Sequence, residues 1–60
     1  MIPQDPIILL SYINTQLRDN YESLDKLAEG LELSEEEVKE VVDKLEGAGY
    51  KYDEGANQFK

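Results

Sequence analysis

The chain contains no cysteine, no histidine and no tryptophan. Without cysteine there is no disulfide, no thiol nucleophile and no iron–sulfur ligand set. Without histidine the commonest general base, the usual switch near neutral pH and a Cys/His zinc site are excluded. Long apolar runs are missing too: Ile7–Leu10 is four residues, against about 20 for a bilayer span. Met1-Ile2-Pro3-Gln4-Asp5-Pro6 carries no basic stretch and no cleavage motif, so no secretory leader is read here and a cytoplasmic location is expected. Positive charge is scarce, with six Lys and Arg against fourteen Asp and Glu, giving a net charge of −8 in 60 residues.

What is present points to a folded domain. The chain is 40% hydrophobic, near the globular norm, which separates it from a disordered acidic tail. Its length allows one small domain that buries only about 60% of its unfolded surface. Packing and helix capping must therefore supply the stability, with oligomerisation as an optional further source.

Asp5-Pro6 predicts a helix start, because Asp caps free N–H groups and Pro at the first helical position loses no needed donor. Leu9, Ile13 and Leu17 recur at helical spacing, widened by Leu10 and Tyr12, so a first helix is expected over about 6–19. One helix face cannot bury Ile7, Ile8, Leu9 and Leu10 together; some must meet the hairpin, Ile2 or another chain. Tyr21 is expected to fold back onto the core. Ser23 caps a short second helix over about 24–29 with Leu24, Leu27 and Ala28 inward, and Gly30 is expected to end it in the left-handed conformation. Leu31 and Leu33 plug the core from the connection. Ser34 and Glu37 have capping-box spacing, and a third helix follows over about 35–46 with Val38, Val41, Val42 and Leu45 on one face and Gly47 as its stop. The tail changes to period two: Tyr50 and Tyr52 share a face, 53–57 is rich in turn formers, and Gln58-Phe59 returns, giving a hairpin over about 50–59. The expected fold is mainly α with a small C-terminal β-hairpin, a three-helix single domain.

The stretch Leu27-Ala28-Glu29-Gly30-Leu31-Glu32-Leu33-Ser34, followed by Val38 and Leu45, resembles the helix-turn-helix of bacterial repressors. Ala28, Val38 and Leu45 occupy the packing positions of that motif, whereas its turn glycine falls at Glu32. With a hairpin after the third helix the outline resembles a winged helix. DNA binding does not follow, because a reading helix needs bases near its N-terminus. Here that end is Ser34-Glu35-Glu36-Glu37, and residues 22–46 hold ten acids against three lysines, or −7 of the total −8. Direct DNA binding is disfavoured on sign alone.

Glu36 and Glu40 lie one helical turn apart and Asp43 continues their face, so these three define a candidate acidic face. A hard cation is one occupant for such carboxylates, but no calcium-loop spacing is present, and no metal site is assigned. A solvated helix face, with Glu35–Lys39 and Glu40–Lys44 paired across one turn, is the plainer expectation. Catalysis has little to use: Ser11, Ser23 and Ser34 have no histidine to activate them, and the four glycines match no phosphate-binding spacing. No enzymatic activity, catalytic residue or cofactor is expected. Tyr50, Tyr52, Asn57, Gln58 and Phe59 form a candidate partner surface, since tyrosine is favoured at interfaces and a hairpin edge accepts a further strand.

As a whole the chain resembles a family of small bacterial proteins, the domain of unknown function numbered 4250. The resemblance is carried by Met1-Ile2-Pro3-Gln4-Asp5-Pro6-Ile7-Ile8-Leu9-Leu10-Ser11, by Asn14-Thr15 and Leu17-Arg18-Asp19, and by Tyr50-x-Tyr52-Asp53 with Asn57-Gln58-Phe59. It implies a stand-alone bacterial protein without assigned activity and draws attention to the Asn-Gln-Phe segment. In physical terms Asn57 is expected to hold the turn, Gln58 to satisfy a backbone group, and Phe59 to close the core under the first helix. Arg18 is expected to pair with Asp19, Asp53 or another acid.

These observations favour a small acidic interaction module that binds a protein partner or a second copy of itself, and no membrane. The alternatives are a nucleic-acid-associated regulator acting through the hairpin or first helix, and an acidic DNA mimic that blocks a DNA-binding protein. The capping box makes a direct prediction: Ser34→Ala lowers stability by about 1 kcal/mol in urea denaturation. A loss near zero would mean that the third helix does not start there.

Overall fold

The computed structural model describes residues 3–60, as three helices followed by a two-stranded antiparallel hairpin. The first helix, α1, spans Pro6–Asp19. The Asp5 carboxylate accepts the backbone N–H groups of Ile7 at 2.9 Å and Ile8 at 3.3 Å, while Pro6 fills the position that needs no donor. Helix α2 spans Leu24–Gly30, with the Ser23 hydroxyl accepting the Lys26 N–H at 3.2 Å. Helix α3 spans Glu35–Gly47 and opens with the complete capping box. The Glu37 N–H donates to Ser34 Oγ at 3.2 Å, and the Ser34 N–H donates to Glu37 Oε1 at 3.0 Å. Each helix therefore starts where its cap places it.

The helix ends depart from expectation. Gly30, expected in the left-handed conformation, is instead the last residue of α2, and Glu32 takes the positive φ of 56°. The Glu32 N–H bonds the Glu29 carbonyl at 3.2 Å and the Leu33 N–H bonds the Ala28 carbonyl at 2.8 Å. That pair of bonds defines a Schellman stop with Glu32 at its left-handed position, where the repressor motif has glycine. Gly30 answers a different need. The ring of Tyr21 lies across it, and a Cβ at this position would stand 2.2 Å from Tyr21 Cε1. The α3 stop is built the same way: the Gly49 N–H bonds the Glu46 carbonyl at 3.0 Å and the Tyr50 N–H bonds the Leu45 carbonyl at 2.9 Å. Its left-handed residue is Gly49, φ 97°, two positions beyond Gly47.

Because the Tyr50 N–H is committed to that stop, the hairpin starts later than the pattern predicts. Strand β1 is Tyr52–Asp53 and β2 is Gln58–Phe59, in the register Tyr52 opposite Phe59 and Asp53 opposite Gln58. Lys51 and Lys60 add one more bonded pair, at 3.2 and 2.9 Å. In the turn, Asp53 Oδ1 accepts the N–H groups of Gly55 at 2.9 Å and Ala56 at 3.2 Å.

Helix α1 is the spine on which α2, α3 and β2 all pack. Its Leu9, Ile13 and Leu17 are buried together with Leu27, Val41, Leu45 and Phe59. Tyr21, Leu31, Leu33 and Tyr50 cover the edges of this cluster. Leu10 is half-buried, whereas Ile7 and Ile8 remain 60% and 58% exposed. A contact between these residues and Ile2 would lie outside the described residues.

Left-handed backbone costs an ordinary L-residue about 1–2 kcal/mol. Glu32→Gly is therefore expected to raise the unfolding free energy by about 1 kcal/mol in urea denaturation, and Gly49→Ala to lower it by about the same amount. A destabilised Glu32→Gly protein would show that the glutamate side chain contributes more than its backbone strain costs.

Candidate functional site

Most of the candidate partner residues lie on the hairpin. Tyr52 and Phe59 face each other between the bonded pairs Lys51–Lys60 and Asp53–Gln58. In an antiparallel ladder the backbone groups of such an intermediate pair point outward. The outward groups of Phe59 meet Asn14 on α1. The Phe59 N–H donates to Asn14 Oδ1 at 2.7 Å, and Asn14 Nδ2 donates to the Phe59 carbonyl at 3.0 Å. One side-chain amide thus replaces a third strand and closes that edge. The Phe59 ring is 2% exposed and lies 5.4 Å, centroid to centroid, from Tyr52 at a 52° tilt.

Asn57 forms the second tie. It sits at φ 52°, a conformation that Asn tolerates better than most residues. Its Nδ2 donates to the carbonyls of Leu17 and Tyr21, both at 3.0 Å. Leu17 lies in the last turn of α1, where carbonyls lack helical partners. Asn57 Oδ1 accepts the Tyr52 hydroxyl at 2.7 Å, and that hydroxyl oxygen accepts the Leu24 N–H at the start of α2 at 3.2 Å. A continuous relay of hydrogen bonds therefore joins the end of α1, the hairpin and the start of α2. Asn57 does more than hold the turn.

Of the five candidate partner residues, Phe59 is interior, and Tyr52 and Asn57 have their polar side-chain atoms engaged within the fold. Tyr50 is half-buried against the core. Gln58 is exposed, and among the described residues its amide makes no hydrogen bond, so the bond to a backbone group that the sequence predicts is not made.

The second candidate is the outer face of α3. Glu36, Glu40 and Asp43 are all exposed. Among the described residues the close ion pairs are Arg18–Asp19 at 2.8 Å and Lys60–Asp53 at 3.2 Å. The expected Glu35–Lys39 and Glu40–Lys44 pairs are not closed. Lys44 Nζ instead donates to Gln4 Oε1 on the N-terminal arm, a partner that helix spacing does not indicate. Arg18 forks onto both carboxylate oxygens of Asp19, at 2.8 and 3.0 Å, which holds that carboxyl below its ordinary titration range. The Asp53 carboxyl is also held low, first by the Lys60 hydrogen bond and then by the Ala56 N–H. Among the described residues no three acidic side chains converge on a common point. No helix among them is long and apolar enough to cross a membrane.

One feature escapes sequence reading. The N-terminal arm, the start of α1, the α2–α3 turn and α3 enclose a cleft of about 380 Å³ whose floor includes Leu9, Leu31, Leu33 and Val41. Its one trace in the sequence is the Leu31-Glu32-Leu33 alternation, which reads equally well as core plugging.

A family model described as Domain of unknown function (DUF4250) matches residues 3–59, and the chain belongs to that family. No curated protein and no solved structure matches it.

The two asparagine ties separate neighbouring residues by consequence. Asn57→Ala strands two carbonyls and a hydroxyl and is expected to cost about 2–3 kcal/mol in thermal or urea unfolding. Gln58→Ala, one residue along, is expected to change stability by less than about 0.5 kcal/mol. Equal losses would show that Gln58 has a structural partner.

Proposed function

We propose that this member of a family without assigned activity is a non-enzymatic interaction module, which binds a basic partner protein through its acidic α2–α3 surface. The carrying observation is the charge distribution. Residues 22–46 hold −7 of the net −8, and on that unit Glu36, Glu40 and Asp43 are exposed with no ion-pair partner among the described residues. Such a surface repels nucleic acid and attracts positively charged patches, raising encounter rates with partners of that kind. The side chains of the other candidate surface are largely consumed: Tyr52 and Asn57 by the hydrogen-bond relay, Phe59 by the core. A partner whose basic patch normally meets DNA is a special case, and the module would then act as a phosphate mimic. The absence of histidine and cysteine, the commonest general base and the thiol nucleophile, supports the non-enzymatic reading.

The test is affinity capture from source-cell lysate at low and high salt, with the wild-type chain and a Glu36→Lys/Glu40→Lys variant. A stoichiometric basic protein is expected at low salt, lost at high salt and in the variant, and rebinding after purification. Contacts between exposed charges are screened within about 8–10 Å at physiological salt, so salt sensitivity is part of the expectation. Nucleic acid in the eluate would replace this reading with a nucleic-acid-associated regulator. Recovery of the bait alone, or a complex unchanged in the variant, would overturn it.

A further inference from the structure

We infer that the cleft beside α3 receives one aliphatic anchor side chain from a Lys/Arg-rich segment of the partner, an inference that rests on the acidic-surface reading and deepens it. At about 380 Å³ the cleft sits at the small end of the roughly 300–1,000 Å³ seen for ligand pockets, a size suited to an anchor rather than to a whole helix. Its lining mixes polar and apolar groups: Leu9 and Val41 are buried behind it, and the apolar surface it offers is chiefly that of the half-buried Leu31 and Leu33. The half-exposure of those two leucines follows from the backbone between them. Glu32, left-handed at φ 56°, turns the chain so that both leucines line the cleft while Glu32 itself stays at its rim.

The rim selects the flanks of the occupant. Glu32, Glu37 and Glu40 stand against Lys44, three carboxylates to one ammonium, and that ammonium already donates to Gln4. Lys and Arg suit such a site, because their aliphatic stems lie along apolar walls while their charged heads reach the carboxylates. Charge thus chooses the segment, and the leucine-lined floor chooses the residue within it. The exposed Ile7–Ile8 pair lacks this second element. Residues 6–17 of α1 carry no charged side chain, and the neighbouring Asp5 carboxylate caps the Ile7 and Ile8 N–H groups, so the helix gives that pair no charged rim of its own.

The experiment uses the full chain and two fluorescein-labelled Lys/Ser-rich peptides, one with a single central leucine and one with serine in its place. Fluorescence anisotropy reads affinity, and methyl and amide NMR shifts read location. The leucine peptide is expected to bind roughly tenfold or more tightly than the serine peptide, with shifts concentrated on the methyls of Leu31, Leu33 and Val41. Glu40→Lys, at an exposed position that leaves the core intact, is expected to weaken both peptides. Equal affinity of the two peptides, with shifts confined to Glu36 and Asp43, would overturn the cleft and leave the acidic surface standing. Preference for leucine with shifts at Ile7 and Ile8 would also overturn it. Binding of neither peptide would overturn the cleft and the acidic-surface reading together.

Discussion

The primary amides of Asn14 and Asn57 hold this fold together at the point where it has least to spare. A hairpin with two residues in each strand has no stability of its own and must be fixed to something rigid. Asn14 bonds both backbone groups of Phe59, and Asn57 bonds two carbonyls at the end of α1. Several features follow from this seating. The Phe59 ring enters the core between helices, the outer edge of β2 is closed, and the Tyr52 hydroxyl reaches the first N–H of α2. Among the described residues no buried side-chain nitrogen or oxygen lacks a partner, as such a network requires when each unmet group costs about 1–3 kcal/mol.

Charge is segregated along the same lines. Helix α1 runs from Pro6 to Leu17 without one charged side chain, as suits an element that packs against α2, α3 and β2. The acids gather instead on α2, the turn and α3, where Glu37 caps a helix start and most of the others face water. The Asn14 and Asn57 amides and the Tyr52 hydroxyl are bonded inside the fold, while exposed carboxylates and a leucine-lined cleft remain outside. Such an arrangement fits the proposed recognition of a basic partner by charge and apolar shape.

How much of this was legible depended on range. Helix starts were readable because a cap acts within three residues: Asp5 on Ile7 and Ile8, Ser23 on Lys26, Ser34 on Glu37. The apolar stripe of α1 was readable because helical periodicity is a property of the local chain. Helix stops were less so, since glycine serves two physical ends. Gly49 supplies a positive φ, whereas Gly30 supplies the absence of a Cβ beneath Tyr21, and only packing tells the two apart. Ion pairing was misjudged for a related reason. Spacing brings Glu40 near Lys44, but the N-terminal arm offers Lys44 a competing oxygen on Gln4.

Local composition and periodicity were therefore enough to set the number of helices, their first residues, the sign of the surface and the chemistry the chain lacks. They also marked the terminal Asn-Gln-Phe segment, without separating its members. The three roles diverge through contacts between residues 36 to 45 positions apart: Asn57 with Tyr21 and Leu17, and Phe59 with Asn14, while Gln58 faces solvent. Such contacts exist only once α1 and the hairpin are packed side by side. The same holds for the cleft, which no single element contains. Its floor and rim belong to different parts of the chain, and their meeting is a property of the assembled fold.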